Sequence, residues 1–428
     1  MTTIGVAGLW HLGVVYASAF AELGNDVIAF DPATNVIEDL ISVKLPVFEP
    51  GLEDLILKHI KSGRLKFTSE VGEMSKADLL IITFDTPVND YDEADVEFVF
   101  DQFKKIAPHV QKDAQVLIAS QLPVGSGDKI SEILSEFGGL DRVSIQPENL
   151  RLGKALDTFF RPDRIIVGTS DGKQNSLLQE TLGSLEVPII WMHRRSAEMT
   201  KHALNAFLAT SITFMGEISE LCERFDADAS EVEVGLKSEK RIGSYAYLSP
   251  GLGFAGGTLA RDVKYLMEMQ RSVPRPSSVL KSLLESNHHN NNWIARTINQ
   301  IHPVKNGLNV CFWGVSYVEN TNTLRRSEIY SLMEDLISNG ANISFVENFV
   351  LSEEINPMMR EFRDLESSLE GIDVLVVSKK LENLFAESPH ISIANRNNLK
   401  ILDPARILLR WEPMLIENSS YFTVGKGI

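Results

Sequence analysis

The sequence predicts an α/β protein built as two doubly wound lobes joined by a long central helix, and three observations predict it. Short β-rich runs at 3–7, 26–30, 79–83, 116–120, 143–146 and 164–167 alternate with helical stretches. Apolar runs of this length, separated by helical periodicity, form strands of a parallel sheet buried on both faces. Around Ser196 the character changes: residues 197–224 keep helical periodicity with no proline and one glycine, the pattern of one long helix linking two lobes. A second alternation opens at Leu308-Asn309-Val310-Cys311-Phe312-Trp313-Gly314 and continues through 343–346, 374–378 and 400–402. The proline-rich segment 272–278 is a connector, and 302–307 marks a domain boundary. No similarity between the two lobes is visible in their sequences.

A chain of 428 residues accommodates two or three separate cores. Its net charge of −17, from 41 basic and 58 acidic residues, excludes a nucleic-acid binder but leaves room for a local basic pocket. Cys222 and Cys311 are the only cysteines, so there is no disulfide framework and no Cys-rich metal site. His288, His289 and the run Asn290-Asn291-Asn292 have no Cys or acidic partner nearby and read as a polar helix end, so no metal is expected. No apolar run reaches about 18 residues, so no membrane span is expected. The first strand begins at Thr3 and leaves no room for a signal peptide. The expectation is a soluble, cytoplasmic protein.

The first strand runs into Gly8-Leu9-Trp10-His11-Leu12-Gly13, then a helical stretch and a second strand ending at Asp31. Gly8 and Gly13 occupy the first and third glycine positions of the Rossmann fingerprint, and an acid about 20 residues on accepts from the adenosine ribose hydroxyls. Asp31 repels a 2′-phosphate, which favours NAD over NADP. Trp10 stands at the middle glycine, where a β-carbon takes space that the backbone usually gives to the pyrophosphate. The competing reading is a strand–turn–helix unit that binds nothing. Trp10 turned outward, with its N–H still serving the phosphate at the helix N-terminus, reconciles the motif with a cofactor.

Further motifs follow in order. They are Glu49-Pro50-Gly51-Leu52, Thr86-Pro87 after the third strand, Ser120-Gln121-Leu122-Pro123-Val124-Gly125-Ser126 and Pro147-Glu148-Asn149-Leu150-Arg151-Leu152-Gly153. Lys201 and Asn205 are four apart and share one helix face. Arg241-Ile242-Gly243 precedes the glycine-dense run Pro250-Gly251-Leu252-Gly253-Phe254-Ala255-Gly256-Gly257-Thr258-Leu259-Ala260-Arg261-Asp262, whose backbone N–H groups can close on an anion or a sugar. Glu319-Asn320-Thr321-Asn322-Thr323-Leu324-Arg325-Arg326-Ser327 lies in the last lobe.

From residue 4 to residue 403 this order resembles the UDP-glucose/GDP-mannose dehydrogenase family. The resemblance implies an NAD-dependent enzyme that oxidises the alcohol of a nucleotide-activated sugar, a UDP-sugar such as UDP-glucose or a GDP-sugar. It implies an NAD-binding Rossmann domain over 1–193, a helical dimerisation domain with the substrate loop over 194–303, and a nucleotide-sugar-binding Rossmann-like domain over 304–428, assembled as a homodimer. Gly8, Trp10, His11, Leu12, Gly13, Asp31, Thr86, Pro87 and Gln121 are then the cofactor residues. Lys201, Asn205 and Asp262 support hydride transfer, and Thr258 and Glu148 line the sugar. Leu150, Arg241, Gly253, Phe254, Gly256, Arg261 and Arg325 are the remaining substrate residues, with Arg241 reaching a neighbouring subunit. The length of the glycine-dense loop is closer to the GDP-mannose enzymes.

The departures from the family are as informative. Thr258 stands where the family has its nucleophilic cysteine, Gln121 replaces a threonine, Leu152 replaces a second carboxylate, and Arg261 replaces a lysine. An aliphatic alcohol is far less acidic than a thiol, whose reference pKa is about 8.5, so Thr258 offers negligible alkoxide at neutral pH. The first hydride loss needs no thiol, and a hydrated aldehyde can lose a second hydride without covalent attachment. The rival reading is a catalytically impaired nucleotide-sugar-binding or regulatory homologue.

Overall fold

In the computed structural model, residues 2–427 are described except 88–94, 139–140, 148–149, 256, 276–277, 318–322, 325–326, 350, 352–353 and 382–388. The chain divides into two compact units, Met1–Leu204 and Asn205–Ile428. The first holds an eight-stranded sheet of β1 (Thr3–Ala7), β2 (Asp26–Phe30), β3 (Leu65–Thr68), β4 (Leu79–Ile82), β5 (Gln115–Ile118), β6 (Val143–Ile145), β7 (Ile165–Thr169) and β8 (Ile189–His193). The order is β3-β2-β1-β4-β5-β6-β7-β8. Neighbours run parallel except β6 and β7.

The strand sequences explain the layers. Successive side chains point to opposite faces, so Ile4, Val6, Leu79 and Ile81 enter one buried cluster, while Ala7, Leu80 and Ile82 enter the other. Covering helices therefore pack on both faces. Helix His11–Glu22 follows β1 and is buried on nearly every side, which its alanines and Gly13 permit. Its Tyr16 and Phe20 meet Phe159 edge to face, with ring centroids 5.2 and 5.3 Å away.

The second unit carries a six-stranded, all-parallel sheet of β9 (Asn309–Trp313), β10 (Asn342–Val346), β11 (Arg360–Phe362), β12 (Val374–Val377), β13 (Lys400–Leu402) and β14 (Ser420–Phe422). Its order is β11-β10-β9-β12-β13-β14, the doubly wound order with the reversal between β9 and β12. A separate helical cluster in this unit gathers Ala206, Ala209, Phe254, Val263 and Leu283.

The 32-residue helix Arg194–Phe225 begins directly at the end of β8 and carries the chain from one unit into the other. It starts three residues before the stretch that sequence periodicity marks, because β8 hands the chain straight to it. The expected strands are present, with β3, β8, β11 and β14 added. Among the described residues no helix is long and apolar enough to cross a membrane.

Candidate active site

The first crevice opens where the strand order reverses between β1 and β4, the place where doubly wound sheets hold ligands. Gly8 turns the chain with φ of 100°, and its N–H donates to Phe30 O at 2.9 Å. Trp10 ends the turn with its side chain 42% exposed, leaving the first turn of helix His11–Glu22 without a side-chain cap. Unsatisfied N–H groups at such a helix start suit a pyrophosphate. Gly13 lets the helix close on the turn: an added Cβ would lie 2.9 Å from Gly8 C and 2.8 Å from Thr83 Oγ1. Leu12 is half-buried beside it.

Asp31 follows β2, and its carboxylate accepts from Leu9 N–H at 2.9 Å and Ala33 N–H at 3.0 Å. The acid is thus fixed at the crevice edge with lone pairs remaining for ribose hydroxyls. Thr83 Oγ1 donates to Gly8 O at 2.8 Å. Thr86 is buried and Pro87 exposed. The absence of a glycine at position 10 does not close the cradle, since Trp10 lies outward, and the residues fit NAD.

A cleft beyond the carboxyl ends of β5 and β6 is lined by Ser120, Gln121, Gln146, Pro147, Glu198 and Lys201. Two side chains of the long helix, one on either side of Lys201 in sequence, fix it there. Glu198 accepts from Gly125 N–H at 2.6 Å and Gly127 N–H at 2.8 Å, and burial pushes its carboxyl above the usual range. His202 Nε2 bonds Leu122 O at 3.1 Å. The loop bearing Gln121 and the turn bearing Lys201 are therefore registered against each other. Sequence reasoning missed Glu198 and His202; their one signal is spacing, three before and one after Lys201. Leu150 is half-buried against the first core, and Glu148 lies outside the described residues.

In the second unit the Asn205 amide donates to the Asp262 carboxylate, and both side chains are buried. Asp262 sits on helix Thr258–Gln270, one turn after Thr258, which is exposed at the helix's first position. Positions four apart share a helix face, so Thr258 and Asp262 are stacked neighbours, as are Lys201 and Asn205. Arg261 is half-buried. The glycine-dense loop is gripped by helix Ser278–Asn291: Asn287 accepts from Phe254 N–H at 2.8 Å, and Asn287 and Asn291 donate to Phe254 O at 2.8 and 3.1 Å. The Phe254 side chain joins the helical core, so its contribution to a site is through the backbone around Gly253. Asn290 is buried, donating to Thr213 O at 3.4 Å, and only His288 and His289 of that run are solvated. Arg241 is exposed and pairs with Glu239 at 3.1 Å. Gly256 and Arg325 lie outside the described residues.

The second sheet has its own crevice. Gly314, with φ of 84°, ends β9 and donates to Val346 O at 3.0 Å. Glu347, after β10, accepts from Val315 and Ser316 N–H at 2.8 and 2.9 Å. Lys379 Nζ donates to Ser316 Oγ at 3.3 Å. Neither cysteine is suited to nucleophilic work: both are buried, and burial pushes the Cys311 thiol up to about 11.

Comparison with known proteins matches this arrangement over most of the chain. Three sequence profiles of the UDP-glucose/GDP-mannose dehydrogenase family match: its NAD binding domain over residues 2–185, its central domain over 195–289 and its UDP binding domain over 311–400. UDP-glucose 6-dehydrogenase YwqF of Bacillus subtilis (strain 168) is 33% identical over 383 residues, covering 87% of this chain and 86% of its own. UDP-glucose 6-dehydrogenase TuaD of the same strain is 27% identical over 434 residues, covering 100% and 94%. The solved UDP-glucose dehydrogenase from Pyrobaculum islandicum shares the fold with a TM-score of 0.88 at 24% identity, over 100% of this chain and 98% of its own.

Proposed function

Starting from the chain's membership of the UDP-glucose/GDP-mannose dehydrogenase family, we propose that it oxidises the sugar alcohol of a UDP-sugar such as UDP-glucose without a covalent thioester. The protein is an NAD-dependent nucleotide-sugar dehydrogenase; the base, the thiol-free route and the residue roles are our reading. UDP is favoured over GDP because the profile over 311–400 describes a UDP binding domain and the 33% identical relative is a UDP-glucose 6-dehydrogenase.

The Gly8–Gly13 turn and Asp31 would hold NAD, which would supply the hydride acceptor. The chain's own groups handle the oxygen. The hydroxyl proton passes to water as the carbinol carbon gives up hydride, and the oxygen carries partial alkoxide charge until the carbonyl forms. The Lys201 ammonium and the Asn205 amide, one helical turn apart, supply hydrogen-bond donors for it. Asp262 holds the Asn205 amide by its N–H, fixing which way the group is presented. Thr258 offers a hydroxyl to the sugar and no nucleophile of thiol strength. The product is an aldehyde or ketone, or an acid formed slowly through the hydrate.

One observation carries the reading: the buried Asn205–Asp262 pair persists one turn from a position that holds threonine. A pocket used only for binding has no physical need to keep an acid desolvated there. Changes at Gln121, Leu152 and Thr258, together with Trp10, favour the alternative, a binding or regulatory homologue. We also propose a cytoplasmic homodimer. The long helix exposes Phe207, Phe214, Leu221 and Phe225 along one stripe, the kind of apolar surface that a symmetric partner covers.

The deciding experiment screens UDP- and GDP-sugars with NAD, follows NADH absorbance and identifies product and protein by mass. NADH formation with an unmodified protein mass supports the proposal. No NADH with any sugar leaves the binding homologue, and a covalent sugar adduct on the protein overturns the thiol-free route.

A further inference from the structure

Glu49 is the most deeply buried acid in the first crevice. Its side chain is 1% exposed and bonds three segments at once. Oε1 accepts from Ala155 N–H at 2.7 Å, and Oε2 accepts from Gly153 N–H at 2.9 Å and lies 2.9 Å from His11 Nε2. Because both other bonds come from backbone N–H groups, we assign the imidazole hydrogen to Nε2, so that all three partners donate to one carboxylate.

The three segments matter. His11 is the first residue of the cofactor helix. Gly153 closes the loop that carries Leu150, and Ala155 opens helix Ala155–Phe160, which has no side-chain cap of its own. That short helix also packs on the cofactor helix through Phe159 against Tyr16 and Phe20. A buried carboxylate is costly unless every lone pair is used. Such a group holds its partners in one arrangement, because any displacement strands it.

We infer that Glu49, paired with His11, is a positioning residue for hydride transfer: it registers the sugar-side segment 150–155 against the first turn of the cofactor helix. This rests on the proposed nucleotide-sugar oxidation and deepens it. Hydride transfer needs the reacting atoms held about 3–3.5 Å apart, and a misplacement of about 1 Å costs about 10²-fold. A residue that fixes one binding element on the other therefore acts on kcat more than on the affinity of either ligand alone.

The test pairs kinetics with a readout independent of turnover. His11→Phe keeps a ring and loses the donor, His11→Gln keeps an N–H near the Nε2 position, and Glu49→Gln sets an amide N–H against backbone donors. His11→Phe and Glu49→Gln should each lower kcat by about tenfold or more, with the UDP dissociation constant of both variants, and the NADH dissociation constant of Glu49→Gln, within about threefold of the unmodified protein. The double variant should lose no more than the worse single one, and His11→Gln should restore most of the rate. Independently, NADH should slow amide exchange at Gly153 and Ala155 in the unmodified protein and lose that effect in His11→Phe. Additive losses, or equal protection in both proteins, overturn the inference. If Glu49→Gln does not fold, the two His11 variants still decide. Turnover failing in the unmodified protein counts against the proposed function alone, because the exchange experiment stands without it.

Discussion

Adding one methyl group at Gly13 should abolish useful cofactor affinity while leaving the rest of the molecule folded. The new Cβ would lie inside the envelope of Gly8 O, 2.9 Å from Gly8 C and 2.8 Å from Thr83 Oγ1. The turn cannot yield cheaply. Gly8 N–H is tied to Phe30 O, Gly8 O to Thr83, and Leu9 N–H to Asp31, at 2.9, 2.8 and 2.9 Å. Gly8 itself packs on the chain at Phe84, where a Cβ would come within 2.7 Å of Phe84 Cα. Relief demands a shift of about an ångström, and overpacking of this kind costs about 1–3 kcal/mol. Because the moved groups are the N–H donors proposed for the pyrophosphate, about 3 kcal/mol translates to an affinity loss of about 10²-fold. The assay is NADH fluorescence titration of Gly13→Ala beside Gly72→Ala, an exposed glycine with nothing within 4 Å of its added Cβ. UDP titration checks that the second unit remains folded. NADH binding within about threefold of the unmodified protein in Gly13→Ala would refute the crevice assignment.

Three further outcomes are expected. NAD should bind at least about tenfold better than NADP, and Asp31→Ala should narrow that gap in a competitive titration, since the repelling charge is gone. Light scattering at micromolar concentration should give a dimer, and Phe214→Glu, placing a charge in the exposed stripe of the long helix, should give a monomer. Thiol alkylation at pH 8 should leave turnover intact: the Cys311 thiol, raised to about 11, stays protonated there, and Cys222 is buried with its thiol also raised. A rate falling in step with alkylation would instead assign a thiol to the reaction.

The parts of the fold that were legible share one property. Central strands such as β1, β4, β9 and β12 are buried on both faces and read as continuous apolar runs. The four strands that sequence reasoning missed, β3, β8, β11 and β14, are the four sheet edges. Three or four residues at β3, β11 and β14 are too few to show a period, and β8 has no fully buried residue and merges into the long helix. The site divides in the same way. Gly8, Gly13 and Asp31 form a local pattern, set by the turn they make. Glu49 and Glu198 do not, because their partners lie 104 and 106 residues away for one, and 73 and 71 for the other. Asn287 just before the polar helix end at 288–292, and Asn291 within it, grip Phe254 from 33 and 37 residues away.

The same reasoning explains why the two sheets conceal their likeness. Asp78 precedes β4 and accepts from Thr3 N–H at 2.8 Å; Asp373 precedes β12 and accepts from Asn309 N–H at 2.9 Å. Gly8 and Gly314 both turn with positive φ and donate to the end of the neighbouring strand. Thr83 and Ser378 both donate to the carbonyls of those turns. Asp31 and Glu347 both catch backbone N–H groups from the turn beside them. Each role needs only a short polar side chain and a backbone partner, so different residues fill it and similarity in sequence fades. The divergence comes at the next residue. After Gly8 the chain enters a helix at His11 whose first turn has no side-chain cap, the arrangement proposed to take the pyrophosphate. After Gly314, Glu347 takes the Val315 and Ser316 N–H groups where Asp31 takes only that of Leu9, and helix Glu328–Ser338 starts from Ser327 as its cap. Replacing Glu347 with Gln would remove a built-in anion from that turn, yet should not create a dinucleotide site in an NADH titration, because among the described residues no helix starts within the turn.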